Sequence, residues 1–351
     1  MSITQSLYHT YKRYRTLQTD TIHALPVAIL MPHSACNCRC LMCDIWKDNK
    51  NLKQLTEADI QSLLVSLKKL GTQQVLLSGG EALLNPRLFD FCRLLKAQGL
   101  RISLLSTGLT LKKNADQLLS HVDEVIISLD GEEATHDRIR NVAGAFRFLK
   151  EGVLTLKAKN PSFRITARTV IHQQNFEHWS SIIDEAFAMG LDQISFLPAD
   201  VSSHAFNREV LWSSARQQEV LPAADALGAL EQQLEKVIHD YQPLFEQKFI
   251  AESPDKLRKI HQYYAAVYGL APYPFKRCNA PWVSAVVEAD GTVRPCFFHE
   301  AMGNIHQDSL EQILNNEKNR RFRKELDTTL NSTCARCVCY LHLSPNTNLN
   351  G

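Results

Sequence analysis

Between Val27 and Pro198 short β-branched, apolar runs alternate with longer stretches whose apolar residues recur at helical spacing, the rhythm of a parallel sheet with crossover helices. The pattern predicts six strands, Val27 to Met31, Gln74 to Ser78, Arg101 to Ser106, Glu124 to Leu129, Phe163 to Val170 and Gln193 to Leu197. The first helix carries its own start signal, Thr56 with Asp59 three residues on, then Ile60, Leu63, Leu64, Leu67 and Leu70, and stops at Gly71. Further helices are expected over Arg87 to Gln98, Asn114 to Leu119, Phe146 to Lys157 and Phe176 to Met189. Six such units form an α/β fold, either a partial barrel or an open doubly wound sheet.

After Pro198 the alternation stops. Helices are expected over Ala224 to Tyr241 and over Pro254 to Tyr268, the second started by Ser253-Pro254. A hairpin follows, Val283 to Glu288 and Thr292 to Phe297 around Asp290-Gly291, a dipeptide suited to a type I′ turn. The expected organisation is an N-terminal helical extension (1–26), a barrel (27–198), a helical bridge (199–275), a small α+β domain (276–342) and a disordered tail (343–351).

Composition adds exclusions. Lys plus Arg minus Asp plus Glu is 39 − 37 = +2, so nothing marks a polyanion-coating surface, and the Lys12, Arg13, Arg15 cluster is expected to be the solvated face of a helix. No nucleic-acid partner is expected. The longest apolar run, Ala24 to Pro32, has nine residues against the roughly 18 to 20 needed to cross a bilayer, and it lacks a cleavage site. A cytoplasmic location is expected, where ten cysteines persist as thiols and serve as metal ligands or nucleophiles.

Directly after the first strand Cys36, Cys40 and Cys43 stand as C-x3-C-x2-C. Three thiolates on one loop hold three irons of a cubane and leave the fourth open to a small molecule. A closed zinc site wants four ligands, and Cys38 lies only two residues from both Cys36 and Cys40, awkward for a shared tetrahedron. Cys38 is therefore expected to be a loop thiol and Cys92, in a helical stripe, a core residue. Polar and glycine residues follow the ends of the next strands: Ser78-Gly79-Gly80-Glu81, Ser106-Thr107-Gly108, and Ser128-Leu129-Asp130-Gly131 with His136-Asp137-Arg138-Ile139-Arg140 beyond. Ligands bind at such strand ends in α/β folds, although Asp130 could equally cap a helix.

The cysteine triad, with Met42 where an aromatic residue is usual, resembles that of the radical S-adenosylmethionine (SAM) enzymes. The resemblance spans Val27 to Pro198 and implies a partial (β/α)6 TIM-like barrel. It implies that Cys36, Cys40 and Cys43 ligate a [4Fe-4S] cluster whose open iron chelates SAM. Gly79, Gly80 and Glu81 look like the motif holding the SAM amino group, and Ser106, Ser128 and Asp130 like the ribose-facing strand ends. Arg140 looks like the arginine that reaches the SAM carboxylate, and Ile194 and Leu197 like adenine-packing positions.

Far downstream, Cys278 and Cys296 flank the hairpin, and Cys334, Cys337 and Cys339 read C-x2-C-x-C. Four thiolates saturate either zinc or an iron-sulfur cluster. Beside a radical SAM barrel they resemble a Twitch or SPASM-like module, which implies an auxiliary [4Fe-4S] cluster held by Cys278, Cys296, Cys334 and Cys337, with Cys339 competing for the last place. The implied chemistry is reductive cleavage of SAM to a 5′-deoxyadenosyl radical, hydrogen abstraction from a substrate carbon and transfer of the remaining electron to the auxiliary cluster. An external donor such as flavodoxin or ferredoxin would supply the first electron. Only the segment 1–26 precedes the first strand, which favours a small, carbohydrate-like substrate over a ribosomally made peptide that needs a leader-binding domain. Candidate substrate-side groups are Arg147, Asp200, His204, Tyr263, Tyr264 and His299; no catalytic residue is singled out. A non-catalytic zinc-binding protein is the alternative from another class.

Overall fold

The computed structural model describes residues 3–208, 210–347 and 349. Six parallel strands, β1 (Val27–Leu30), β2 (Gln74–Leu77), β3 (Arg101–Ser106), β4 (Glu124–Ser128), β5 (Arg164–Ile171) and β6 (Gln193–Pro198), follow the expected order within a residue or two. Each pairs with the next in parallel. The crossover helix Glu57–Lys69 begins at a reciprocal Thr56–Asp59 capping box, and Gly71 just past its end has φ +63°. Its buried residues Ile60, Leu63, Leu64 and Leu67 press the helix onto the sheet.

The hairpin is not a separate layer. Strand β7 (Ser284–Val287) pairs in parallel with β1, Val27 against Ser284 through Leu30 against Val287. β8 (Thr292–Arg294) and β9 (Gly303–Asn304) continue antiparallel, so one sheet runs β6-β5-β4-β3-β2-β1-β7-β8-β9. The turn between β7 and β8 is not type I′, which needs positive φ at both central residues. Gly291 alone takes it, at +81°, while Gly291 N–H donates to Glu288 O and the Asp290 carboxylate accepts from Thr292 N–H at 3.1 Å.

At the other edge, Ile250 bridges to Ile194, and the helices Leu227–Asp240 and Pro254–Val267 pack over that side. On the N-terminal helix Ile3–Thr19 Arg15 is exposed and Lys12 half-buried, and Arg13 departs from the expected solvated face. Arg13 is buried and donates to Gln73 Oε1 at 2.6 Å and to Thr347 O at 2.7 Å. The expected disordered tail is thus tied down in part. Leu343 is buried and its N–H donates to Asn279 Oδ1. Asn348, Asn350 and Gly351 lie outside the described residues. Among the described residues no helix is long and apolar enough to cross a membrane.

Candidate active site

One cavity of about 1180 Å³ opens at the carboxyl ends of the strands. Its wall includes Cys36, Cys40 and Cys43 at one end, and Phe297, Phe298, Val338 and Cys339 of the C-terminal segment at the other. Cys38 is fully buried, outside the wall, and donates its S–H to the Cys40 sulfur, which lowers the Cys40 pKa. Burial pushes the Cys36 and Cys43 thiols up to about 12, so a metal arriving here must displace their protons. Among the described residues no three Cys, His, Asp or Glu side chains already converge as a preformed metal site, and all ten cysteines are free.

Gly79 and Gly80 wall the cavity because nothing larger fits. A Cβ on Gly80 would lie 2.1 Å from Ala35 O and 2.9 Å from Cys36 N. This close approach lets Glu81 N–H donate to Ala35 O at 2.8 Å, which pins the cysteine loop to the end of β2. Asn49 clamps the same loop from outside, donating to Cys36 O and accepting from Cys36 N–H.

Glu81 does not face the cavity. It is 1 % exposed, and its carboxylate accepts from Thr107 N–H at 2.7 Å, Thr107 Oγ1 at 2.8 Å and Ser106 Oγ at 3.2 Å. Burial raises its pKa, and these donors work against that rise. The expected direct contact with an amino group is corrected to a positioning role: Glu81 fixes Ser106 and Thr107, which do line the cavity, and Thr107 Oγ1 reaches Asn37 on the cysteine loop at 2.9 Å. Thr107 and Asn49 carry no sequence signal beyond their neighbours.

Asp130 is likewise turned away from the cavity and caps no helix. It is fully buried and pairs with Arg140 Nε at 2.6 Å. Burial raises the Asp130 carboxyl, and Arg140 opposes that rise. Arg140 lines the cavity, and its Nη1 lies 3.4 Å from Cys40 Sγ. Burial pulls the Arg140 pKa down, but Asp130 and the neighbouring thiols outweigh it and hold it above the ordinary value. Backbone bonds from Arg39 N–H to Arg140 O and from Leu41 N–H to Ile139 O stitch this helix end to the cysteine loop. Ser128 and Leu197 line the cavity, whereas Ile194 is fully buried on the opposite face of β6. Residues three apart on a strand cannot share a face, so the expected pairing of Ile194 with Leu197 fails on parity.

The five C-terminal cysteines lie near enough to act on one another's ionisation without converging as a preformed site. Burial pushes Cys334 up to about 12 and Cys296 up to about 11; Cys278 adds to both, Cys296 to Cys334, and Cys339 to Cys296. Cys337 donates its S–H to Cys339 O at 2.9 Å, and His299 Nε2 lies 3.3 Å from Cys334 Sγ. Lys276 holds the knuckle by donating to Ala335 O at 2.7 Å and to Cys337 O.

Of the other candidates, Asp200 is spent on a buried ion pair with Arg208, although both line the cavity. His204 reaches the wall, and Arg147 stacks on Phe148 outside it. The Tyr264 hydroxyl is spent on Ile171 O and Ala199 N–H, whereas the buried Tyr263 hydroxyl has no partner.

Residues 30–186 match the model of the Radical SAM superfamily, and residues 278–338, from Cys278 through Val338, match that of an iron-sulfur cluster-binding domain. The chain belongs to the radical SAM superfamily. It is an enzyme that uses SAM and a [4Fe-4S] cluster, and its C-terminal domain is of the kind that binds an auxiliary iron-sulfur cluster. Among curated relatives, the AdoMet-dependent heme synthase of Methanosarcina barkeri is 26% identical over 87% of this chain and 86% of its own length. The sporulation killing factor maturation protein SkfB of Bacillus subtilis is 22% identical over 82% of this chain and 65% of its own. Among solved structures, Streptococcus suis SuiB bound to the precursor peptide SuiA superposes with a TM-score of 0.65, at 13% identity, over 99% of this chain and 78% of that one. At that identity the superposition speaks for the fold alone.

Proposed function

We propose that this enzyme oxidises a substrate carbon by two electrons inside the cavity, with radical generation in the barrel (27–198) and electron acceptance in the C-terminal domain (276–342). The observation that carries the proposal is the single cavity walled by Cys36, Cys40 and Cys43 at one end and by Cys339 at the other. The donor sets fit the implied clusters by number and kind: three cavity-facing thiols for an open site, and five C-terminal thiols from which a closed one can take four. When bound, cluster and SAM supply a 5′-deoxyadenosyl radical able to take a hydrogen atom from an unactivated carbon. In this reading Arg140 and Asn37 steady the cysteine loop, Gly79 and Gly80 admit the cofactor to backbone distance, and Ser106, Ser128 and Leu197 line its bed. Cys278, Cys296, Cys334 and Cys337 hold the second cluster, and a one-electron donor protein reduces the first.

Arg168 on the wall, without an ion pair within 4 Å, favours an acidic small molecule. A peptide is the second reading, supported by the maturation and peptide-cyclase names of SkfB and PqqA peptide cyclase among the relatives. The test is iron and SAM cleavage on chain reconstituted without oxygen. About eight irons per chain are expected, and Cys334→Ala should remove up to four while SAM cleavage persists. Four irons in the wild type, unchanged by Cys334→Ala, would remove the electron-acceptor role.

A further inference from the structure

Arg168 is the cation that the cavity leaves unspent. It lies on β5 in register with Ser128 on β4 and Ser195 on β6, so three strands present a hydroxyl, a guanidinium and a hydroxyl side by side on the inner face. Its neighbours Ala167 and Thr169 point the other way and are buried, whereas Arg168 is exposed to the cavity. The other Lys and Arg side chains on the wall each hold a carboxylate within 3.1 Å, as Arg140 holds Asp130 and Arg294 holds Glu288. The Arg168 side chain has no hydrogen bond and no ion pair within 4 Å among the described residues, and the one acid its charge acts on is Glu252, whose carboxyl it pulls down against burial.

Arg168 also lines a side pocket of about 90 Å³ between β6, the helix Pro254–Val267 and the Cys337 knuckle. At ~30 Å³ per water that is room for about three waters, or for one carboxylate group. Arg168, Lys256, Lys259 and Lys276 face a single acid there, Glu252, which already accepts Phe196 N–H at 3.0 Å and lies 3.5 Å from Lys256. Tyr263 adds a donor: it is 1 % exposed, lines the pocket, and its hydroxyl is without a partner. A buried hydroxyl left unpaired is costly, and the fork of an arginine matches a carboxylate with two parallel N–H···O bonds. The pocket lies at the β5–β6 end of the sheet, four strands from β1, which launches the Cys36–Cys43 loop.

We propose that this side pocket binds a carboxylate of the substrate, with Arg168 as its bidentate partner and the Tyr263 hydroxyl as a neutral donor. The inference rests on the reading of the cavity as the substrate chamber. The carboxylate could belong to an acidic small molecule or to an acidic peptide side chain; the chemistry is the same, and the assay separates them.

The experiment uses the full chain, reconstituted without oxygen and saturated with SAM. One arm titrates coproporphyrin, which carries four carboxylates, against its methyl ester by absorbance. The other titrates a fluorescein-labelled glutamate peptide against its glutamine counterpart by anisotropy. At least one acidic probe should bind about tenfold or more tighter than its neutral counterpart. Arg168→Met should abolish that preference, Arg168→Lys should restore part of it, and Tyr263→Phe should weaken it severalfold. Which probe shows the preference identifies the source. The proposal is overturned if neither acid is preferred, if the preference survives both Arg168→Met and Tyr263→Phe, or if Arg168→Met weakens only SAM. Should Arg168→Met not fold, Arg168→Lys and Tyr263→Phe carry the same test. Iron content and SAM cleavage of the wild-type chain can stand while every carboxylate preference fails, so this proposal and the oxidation reading fail separately.

Discussion

Gly80 offers the sharpest test of how the first cysteine loop is held. An alanine Cβ there would meet Ala35 O at 2.1 Å and Cys36 N at 2.9 Å, both backbone atoms with no flexible end to swing aside. Real Cβ contacts do not fall below 3.0 Å, so Ala35 must retreat by at least 0.9 Å, taking Cys36 with it. That shift also breaks the Glu81 N–H to Ala35 O bond of 2.8 Å. Overpacking costs roughly 1–3 kcal/mol and the lost bond about 1 more, so Gly80→Ala should lower stability by about 2–4 kcal/mol. Because Cys36 is displaced, the loss should appear first in metal: iron after anaerobic reconstitution should fall by about four per chain while the C-terminal iron remains. The control is Gly228→Ala, in the helix Leu227–Asp240, where an added Cβ meets nothing within 4 Å. It should leave iron intact and raise stability by about 0.5 kcal/mol. Full iron and an unchanged urea midpoint in Gly80→Ala would refute the packing argument.

Cys40→Ala should abolish SAM cleavage, whereas Cys38→Ala should keep iron near the wild-type value, since Cys38 lies outside the cavity wall; equal iron loss in both, measured by colorimetric assay, would sink the distinction. Glu81→Gln should weaken SAM binding while iron is retained, because with its amide oxygen taking both Thr107 donors its NH2 must face the Leu83 N–H that Glu81 Oε1 accepts at 3.2 Å; unaltered SAM affinity by equilibrium dialysis would contradict its positioning role. Burial holds His136 and His172 down at about 3, while the unfolded imidazole protonates near 6.5. Between those values the unfolded chain binds more protons, so stability falls as pH drops, by about 1.4 kcal/mol per histidine at pH 5.5. His172→Gln should halve the combined loss in denaturant titrations at pH 7.5 and 5.5, and an unchanged pH slope would refute this.

Local signals were legible and side-chain directions were not. The capping box at Thr56 and the strand order through β6 both rest on short-range periodicity or spacing, which the chain carries in consecutive residues. The resemblance to radical SAM motifs implies that Glu81 and Asp130 face a ligand, and neither side chain does. Which way each points depends on Thr107 and Arg140, elements that reach them only after folding. Ile194 was a miss the sequence could have prevented, since strand parity alone separates it from Leu197.

The pairing of β7 with β1 was beyond local reading, because its partners lie more than 250 residues apart in the chain. It is also what gives the two cysteine sets a fixed relation. The Cys36–Cys43 loop leaves β1, Cys296 follows β8, and β7 between them hydrogen-bonds to β1 in parallel register. A rigid ladder therefore spans both metal-binding segments, and the cavity between them cannot widen without breaking backbone bonds. Parallel pairing demands a long connection, and here that connection is the rest of the barrel and the helices covering β6.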